Sequence, residues 1–292
     1  MDQSLRGRPA VVITGASTGI GAACAVELAR RGFCVFAGVR QQCDGERLKD
    51  QSPTLVPLLL DVTHAGQIAA AAQSVYRIVG DAGLAGLVNN AGIVVAGPLE
   101  ILPLEHLRLQ LEVNVVGQIA VTQAFLPLLR KGRGHIVNMG SFNGRIAAPY
   151  MAPYAASKHA LEALSAALRL ELRAWGICVS VIEPGGTTTP IWDKSLAAAD
   201  AWADGADNEA LGLYKSDLDA MREATRKLAA AALPVESVVR CVVHALTARR
   251  PWARYPVGLK VNLLFRARKW VPDRIWDWII QRSLGLPKTK PP

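Results

Sequence analysis

Cysteine is sparse in this sequence and forms no pattern. Cys24, Cys34, Cys43, Cys178 and Cys241 are odd in number and contain no C-x-x-C pair. That excludes a disulfide-stapled scaffold and points to a reducing, cytoplasmic setting. Histidine is also scarce, five residues without H-E-x-x-H or another ligand spacing, so no metal site is expected. Aromatic residues make up only 6% of the chain. No apolar stretch precedes Pro9, and a secretory signal is not expected. The uncharged stretch 82–99 contains Asn89, Asn90 and several glycines, which argues against a spanning helix. Internal repeats and low-complexity segments are missing too. The net charge is +9, and residues 249–292 carry all of that excess, with eleven Lys and Arg against Asp273 and Asp277. Four of the seven tryptophans, Trp252, Trp270, Trp276 and Trp278, lie in the same segment. The body of the chain is electrically neutral, and a basic, tryptophan-rich extension follows it.

What is present is a chain of 292 residues, 51% hydrophobic, long enough for one large α/β domain. Short apolar runs at 10–14, 34–39, 55–60, 86–89, 135–139 and 177–182 alternate with Ala- and Leu-rich segments of helical length at 20–31, 65–79, 104–130 and 154–175. Continuous apolar strands separated by helices predict a doubly wound, Rossmann-type parallel sheet covered on both faces. The reading is a single catalytic domain over 1–248, with a polar, Ala-rich flap at 186–232. The extension 249–292 packs on or beside it. A helix at 235–248 and a short strand near 253–257 complete the expectation.

The first strand runs into Thr14-Gly15-Ala16-Ser17-Thr18-Gly19-Ile20-Gly21. In a strand–turn–helix context Gly15 permits the tight turn, Gly19 lets backbone approach a pyrophosphate, and Gly21 allows close helix–strand packing. The helix N-terminus offers N–H groups to phosphate oxygens. The loop therefore reads as a dinucleotide site that includes Ser17, Thr18 and Ile20. An NAD-preferring site ends its second strand on Asp or Glu, but here the end is Val39-Arg40. Arg40 offers a planar fork for a 2′-phosphate, so NADP is expected over NAD; the plain alternative is a solvated loop arginine. Asp61, followed by Val62, is the expected partner of the adenine.

Tyr154 and Lys158 stand one helical turn apart, where an ammonium favours the phenolate and brings a tyrosine toward the working range of a general acid or base. Ser141 precedes Tyr154 by 13 residues. Together with the glycine loop and Asn89-Asn90-Ala91-Gly92, Tyr154-Ala155-Ala156-Ser157-Lys158 and Pro184-Gly185 with Thr189, these residues resemble the short-chain dehydrogenase/reductase family over residues 10–190. The resemblance implies that Ser141 donates to a substrate carbonyl oxygen and that Tyr154 exchanges the proton. Lys158 would also bond the nicotinamide ribose, and Asn114 would hold a water that leads to Lys158. It further implies cofactor contacts from Asn90, Ala91, Gly92, Pro184, Gly185, Thr187 and Thr189. Tyr150 is not the acid, because position 154 after it is Tyr; it lines the pocket instead. His159 and Ser157 read as packing residues.

The family resemblance makes the flap the substrate-selecting segment. Ile191, Trp192, Trp202, Leu211, Leu213, Tyr214 and Met221, with Ile146, Pro149, Tyr150 and Met151, give it an apolar wall. Asn143 and Trp192 are candidate substrate contacts. Arg254-Tyr255-Pro256-Val257-Gly258 and the run 271–278 resemble retinol- and hydroxysteroid-dehydrogenase-like members, which implies a lipophilic alcohol, ketone or aldehyde. A silent nucleotide sensor or a membrane-bound scaffold on the same fold is the alternative, and the intact Ser141, Tyr154 and Lys158 argue against it. In the extension, Ile275, Trp276, Ile279 and Ile280 share one helical face. That face either docks on the domain, pairs with another subunit or lies peripherally on a membrane. No nucleic-acid motif accompanies the basic residues. The long helices at 104–130 and 154–175 resemble those through which members of that family form dimers and tetramers, which implies a homodimer or homotetramer.

Overall fold

A computed structural model of the chain describes residues 7–189, 191 and 208–286. Seven strands form one parallel sheet: β1 Ala10–Ile13, β2 Cys34–Val39, β3 Leu55–Leu59, β4 Gly86–Asn89, β5 His135–Met139, β6 Cys178–Pro184 and β7 Arg254–Val257. Their spatial order is β3-β2-β1-β4-β5-β6-β7. The order reverses between β1 and β4, and ligands in such sheets bind beyond the C-terminal strand ends at this switch point.

The helices on one face are α1 Gly19–Arg30 and α2 Gln42–Lys49, and those on the other include α3 Ala65–Val79 and the pair α4 Leu104–Leu111 and α5 Gly117–Gly132. The catalytic-helix candidate is α6 Ala152–Glu171. Later come α7 Asn208–Gly212, α8 Lys215–Ala230, α9 Val235–Thr247, α10 Leu259–Arg268 and α11 Asp273–Ser283. β1 shows why its residues are apolar without alternation. Val11 and Ile13 enter the core beneath α1 and α9, while Ala10 and Val12 enter the core beneath α3 and α5. Both faces are dry, as in any helix-covered parallel sheet.

The structure departs from the sequence reading in three places. The polar segment Gln42–Lys49 is a helix whose Gly45 and Leu48 alone are buried, too short and too charged to show a periodic face. The helix expected over 104–130 is interrupted by a π-helical turn at Glu112–Val116, a feature common at functional sites. Helix α10 was not anticipated, whereas β7 falls where a short strand was expected near 253–257 and adds the seventh strand to the sheet. The helix pair 104–132 is long and apolar enough to cross a membrane, but Val121, Phe125, Leu128 and Leu129 of α5 fill the sheet core instead.

Candidate active site

The glycine loop takes its shape from two left-handed residues and one close approach. Gly15 and Gly19 have φ of +64° and +60°, where side chains with a Cβ are strained. A Cβ on Gly21 would meet the Gly15 carbonyl oxygen at 2.3 Å and the Asn90 amide at 2.5 Å. No side chain caps the start of α1, so its first-turn N–H groups remain for an external acceptor. These features fit a pyrophosphate. Ser17 is half-buried and Thr18 is exposed on the loop, with Ile20 just inside the helix.

Thr14 holds the loop in place, a role not read from the sequence. Its hydroxyl accepts from the backbone N–H of Asn90 at 3.0 Å and of Ala91 at 2.9 Å. Asn90 returns two bonds, its side-chain amide donating to the carbonyls of Thr14 and Gly15 at 3.0 Å each. The Asn90 amide is thus a brace of the loop. Gly92 is exposed, and a Cβ there would lie 3.3 Å from Asn114 Oδ1.

At the adenosine end, Val39 is buried and Arg40 is exposed. Asp61 Oδ1 accepts from the backbone N–H and the hydroxyl of Thr63, at 2.9 and 2.7 Å. Burial would raise the Asp61 pKa, but these bonds and the nearby Arg40 charge prevail and hold it below the usual carboxylate range. Val62 is buried, and its carbonyl lies against Gly117.

The polar residues beneath the site follow a four-residue period along α4, the π turn and α5. Gln110, Asn114, Gln118 and Thr122 are all buried. Asn114 clamps the chain after β4: Oδ1 accepts from Ile93 N–H at 2.9 Å, and Nδ2 donates to the Ile93 carbonyl at 3.0 Å. Nδ2 also lies 3.2 Å from the Ser157 hydroxyl, which donates to the Tyr154 carbonyl at 2.7 Å. Ser157 therefore links Asn114 to the Tyr154 carbonyl of α6 rather than merely packing. Gln110 bonds Val95 N–H and the Ile93 carbonyl, and Gln118 bonds the Ala91 carbonyl. The period of four was visible in the sequence as polar residues recurring on an apolar helix.

Ser141 follows β5 and caps the short turn Phe142–Gly144 by accepting from Asn143 N–H at 3.2 Å. Its hydroxyl also lies near enough to the Tyr154 phenol to draw that group's pKa down. Lys158 is only 4% exposed, and its Nζ donates to the Met139 carbonyl at 2.7 Å. Nζ stands 5.6 Å from the centre of the Tyr154 ring. Burial lowers the Lys158 pKa to about 8. Burial raises the Tyr154 pKa, and the nearby Ser141 hydroxyl offsets only part of that. The expected lowering of the tyrosine by its lysine is not found: the ammonium is turned to Met139, and desolvation of the phenolate outweighs its field.

Around this centre, Pro184 is buried and Gly185 is packed so closely that a Cβ would meet Val261 of α10 at 2.8 Å. Thr187 is buried and bridges to Leu233, while Thr189 is half-buried. Tyr150 has φ +63° and donates its hydroxyl to the buried Asp217 of α8. Burial, and then that carboxylate, push the Tyr150 pKa up. Tyr214 similarly donates to Glu100. Ile146 does not line a substrate wall; it is buried with Val261, Phe265 and Trp276 of the extension. His159 is exposed, its ring facing the Ala155 carbonyl. Trp192 and Trp202 lie outside the described residues. Among the described residues no group of three or more His, Cys, Asp or Glu could hold a metal.

Comparison with known proteins gives a consistent result. A family model described as short chain dehydrogenase matches residues 9–200. An NADPH-dependent 3-dehydrocapnine reductase of Ornithobacterium rhinotracheale is 36% identical over 280 residues, covering 94% of this chain and 96% of its own. A 17-beta-hydroxysteroid dehydrogenase type 6 of Bos taurus is 38% identical over 283 residues, covering 95% and 89%. Among solved structures, a short chain dehydrogenase of Burkholderia cenocepacia in complex with NADP superposes with a TM-score of 0.72 at 26% identity, covering 96% and 98%. One of Burkholderia phymatum in complex with NAD superposes with a TM-score of 0.77 at 26% identity, covering 98% of each chain.

Proposed function

The chain belongs to the short-chain dehydrogenase/reductase family, and from that premise we propose that it is an NADP-preferring oxidoreductase of a lipophilic alcohol, ketone or aldehyde. The family is one of NAD(P)-dependent dehydrogenases and reductases. The preference for NADP, the substrate class and the role of Tyr154 are our reading. The observation that carries it is the joining of Ser141, Tyr154 and Lys158 at the strand ends that also hold the glycine loop.

A bound nicotinamide supplies or accepts the hydride. The residues of this chain orient the substrate and manage the proton. Gly15, Ser17, Thr18, Gly19, Ile20 and Gly21 would seat the pyrophosphate, and Asn90 braces that loop. Arg40 is exposed just after β2 and would bond a 2′-phosphate as a fork. Asp61 would contact the adenine, and Ala91, Gly92, Pro184, Gly185, Thr187 and Thr189 would wall the remaining length. Ser141 and Asn143 would hold the substrate oxygen, and Tyr154, a neutral phenol whose pKa burial raises further, would donate to it during reduction. Lys158 would turn from Met139 to the ribose and the phenol. A water near Asn114 would carry the proton on to solvent.

One of the reported relatives is named a 17-beta-hydroxysteroid dehydrogenase, which supports a steroid, retinoid or long-chain lipid substrate here. Placement fits such a ligand. The extension leaves Trp270 87% and Leu259 76% exposed, beside the exposed Lys260, Arg266, Lys269 and Arg274. We read this as contact with an anionic lipid surface. Exposed Leu104, Leu109 and Val116 on the helices at 104–132 support pairing with a second copy.

The direct test is a panel of steroid, retinoid and aliphatic ketones and aldehydes, followed by NADPH absorbance with NADH in parallel. Turnover is expected with a lipophilic carbonyl and to be faster with NADPH. Turnover confined to small polar carbonyls, or faster with NADH, contradicts the assignment.

A further inference from the structure

Glu162 sits one turn beyond Lys158 on the same face of α6, and Glu183 lies at the end of β6 immediately before Pro184-Gly185. Both are buried, Glu183 with 0% exposure, and their carboxyls face each other. Two arginines close the cluster from other parts of the chain. Arg254 of β7 donates from Nε to Glu162 Oε2 at 2.8 Å. Arg145, which follows the Ser141 turn, brings Nε to 2.6 Å from Glu183 Oε1 as an ion pair. The Arg145 guanidinium lies 4.5 Å over the Phe265 ring, and that ring stacks on Phe142 with centroids 5.8 Å apart. Phe142 is the neighbour of Ser141. Glycines on either side of the serine fit closely against Glu162: a Cβ on Gly140 would reach its Oε1 at 3.4 Å, and one on Gly144 its Cγ at 3.3 Å.

Both oxygens of Glu183 and Oε1 of Glu162 have no well-aligned donor. Buried carboxylate oxygens normally find one. A single proton held between the two carboxyls would satisfy one oxygen of each. Burial first, and then the Glu162 charge, raise the Glu183 pKa to about 7, against the opposing pull of Arg145 and Arg254. These four side chains come from α6, β6, β7 and the loop after Ser141. Among the described residues, Glu162, Arg145 and Arg254 are the charged groups that act on Glu183.

We propose that Glu162 and Glu183, clamped by Arg145 and Arg254, are positioning residues that set the Ser141 loop against the catalytic helix and make its setting depend on a shared proton. With the proton gone, Glu183 holds Arg145 by full charge, and the Phe142–Ser141 segment follows it. With the proton bound, that hold weakens. The cluster also makes the basic extension part of the catalytic geometry, because Arg254 and Phe265 belong to it.

The proposal rests on the catalytic reading above, so the test needs readouts that do not require turnover. We would compare the full-length wild type with Glu183→Gln and Arg254→Gln, the second a change at the partly exposed rim. For each, Tm is measured from pH 5 to 8.5, with hydrogen exchange of residues 141–146. The pH profile of kcat is measured with NADPH and a ketosteroid. Relative to wild type, Glu183→Gln should gain stability as pH rises through 7, and Arg254→Gln should move the wild-type fall to higher pH. Exchange at 141–146 should quicken in both. Glu183→Gln should lose about tenfold in kcat at pH 8, with KM nearly unchanged and no inflection near 7. Parallel Tm curves, unchanged exchange, or a kcat profile superimposable on wild type would overturn the proposal. A wild type without turnover would instead overturn the catalytic reading, while Tm and exchange still decide the cluster.

Discussion

Lys158 and Tyr154 lie on one helix face, and burial acts on them in opposite directions. The lysine is pushed toward its neutral form and the tyrosine toward its protonated form. Both shifts favour a site with less charge before ligands arrive. The lysine makes a stability prediction. Its folded pKa of about 8 lies below the ordinary 10.5, so the unfolded chain binds more protons between those values. On its account stability rises with pH from about 8 to 10.5, by at most about 3 kcal/mol. Lys158→Met should flatten that rise in a Tm series and abolish turnover; a slope equal to that of wild type would show that the amine is not buried in solution. Arg40 is a second residue with a separable effect. Its replacement by Ala should weaken NADPH by about 1.5–3 kcal/mol, the range for hydrogen bonds to a charged group, and leave NADH nearly unchanged. Fluorescence titration with both cofactors measures it, and equal losses would remove Arg40 from the 2′-phosphate site.

At the scale of elements, the π turn and the polar residues around it hold the site together. Asn114 bonds both the N–H and the carbonyl of Ile93. In Asn114→Ala those groups lose their partners, so the variant should lose about 1–3 kcal/mol per unsatisfied group in chemical unfolding; a loss near zero would mean that water replaces the amide freely. The extension is a second structural support. Trp276 is 5% exposed against Ile146, Val261 and Phe265, and Trp276→Ala should cost about 3–5 kcal/mol. If the extension instead frays independently, its hydrogen exchange will quicken without a change in global Tm. Its face turned out narrower than the sequence suggested: Trp276 and the half-buried Ile279 and Ile280 face inward, while Ile275 is exposed.

Over the whole molecule, sequence legibility followed physics that acts locally. The strands were readable because both faces of the sheet are buried, and the glycine loop because φ of +64° and +60° at Gly15 and Gly19 leaves little choice of residue. The Ser141, Tyr154 and Lys158 trio was readable as a motif. What each polar atom touches was not, since Thr14 with Asn90, Ser157 with Asn114, and Lys158 with Met139 are set by approach across the fold. The Glu162–Glu183 pair joins positions 21 apart on separate elements, and no period reveals it. The charge of the extension divides likewise. Arg254 and Arg268 form ion pairs with Glu162 and Asp273, while Lys260, Arg266, Lys269 and Arg274 are exposed with Trp270. Co-sedimentation with phosphatidylserine vesicles should therefore be strong at low salt and fall as salt rises. Absence of binding at low salt would contradict the membrane assignment.

The central claim is that Tyr154 handles the substrate proton at a site assembled independently of its hydroxyl. Steady-state reduction of the best lipophilic ketone by Tyr154→Phe, with NADPH affinity measured on the same sample, tests it most directly. The account predicts a fall in kcat of about 10²–10⁴ with cofactor affinity nearly unchanged. A variant that still reduces the ketone at close to the wild-type rate would contradict it.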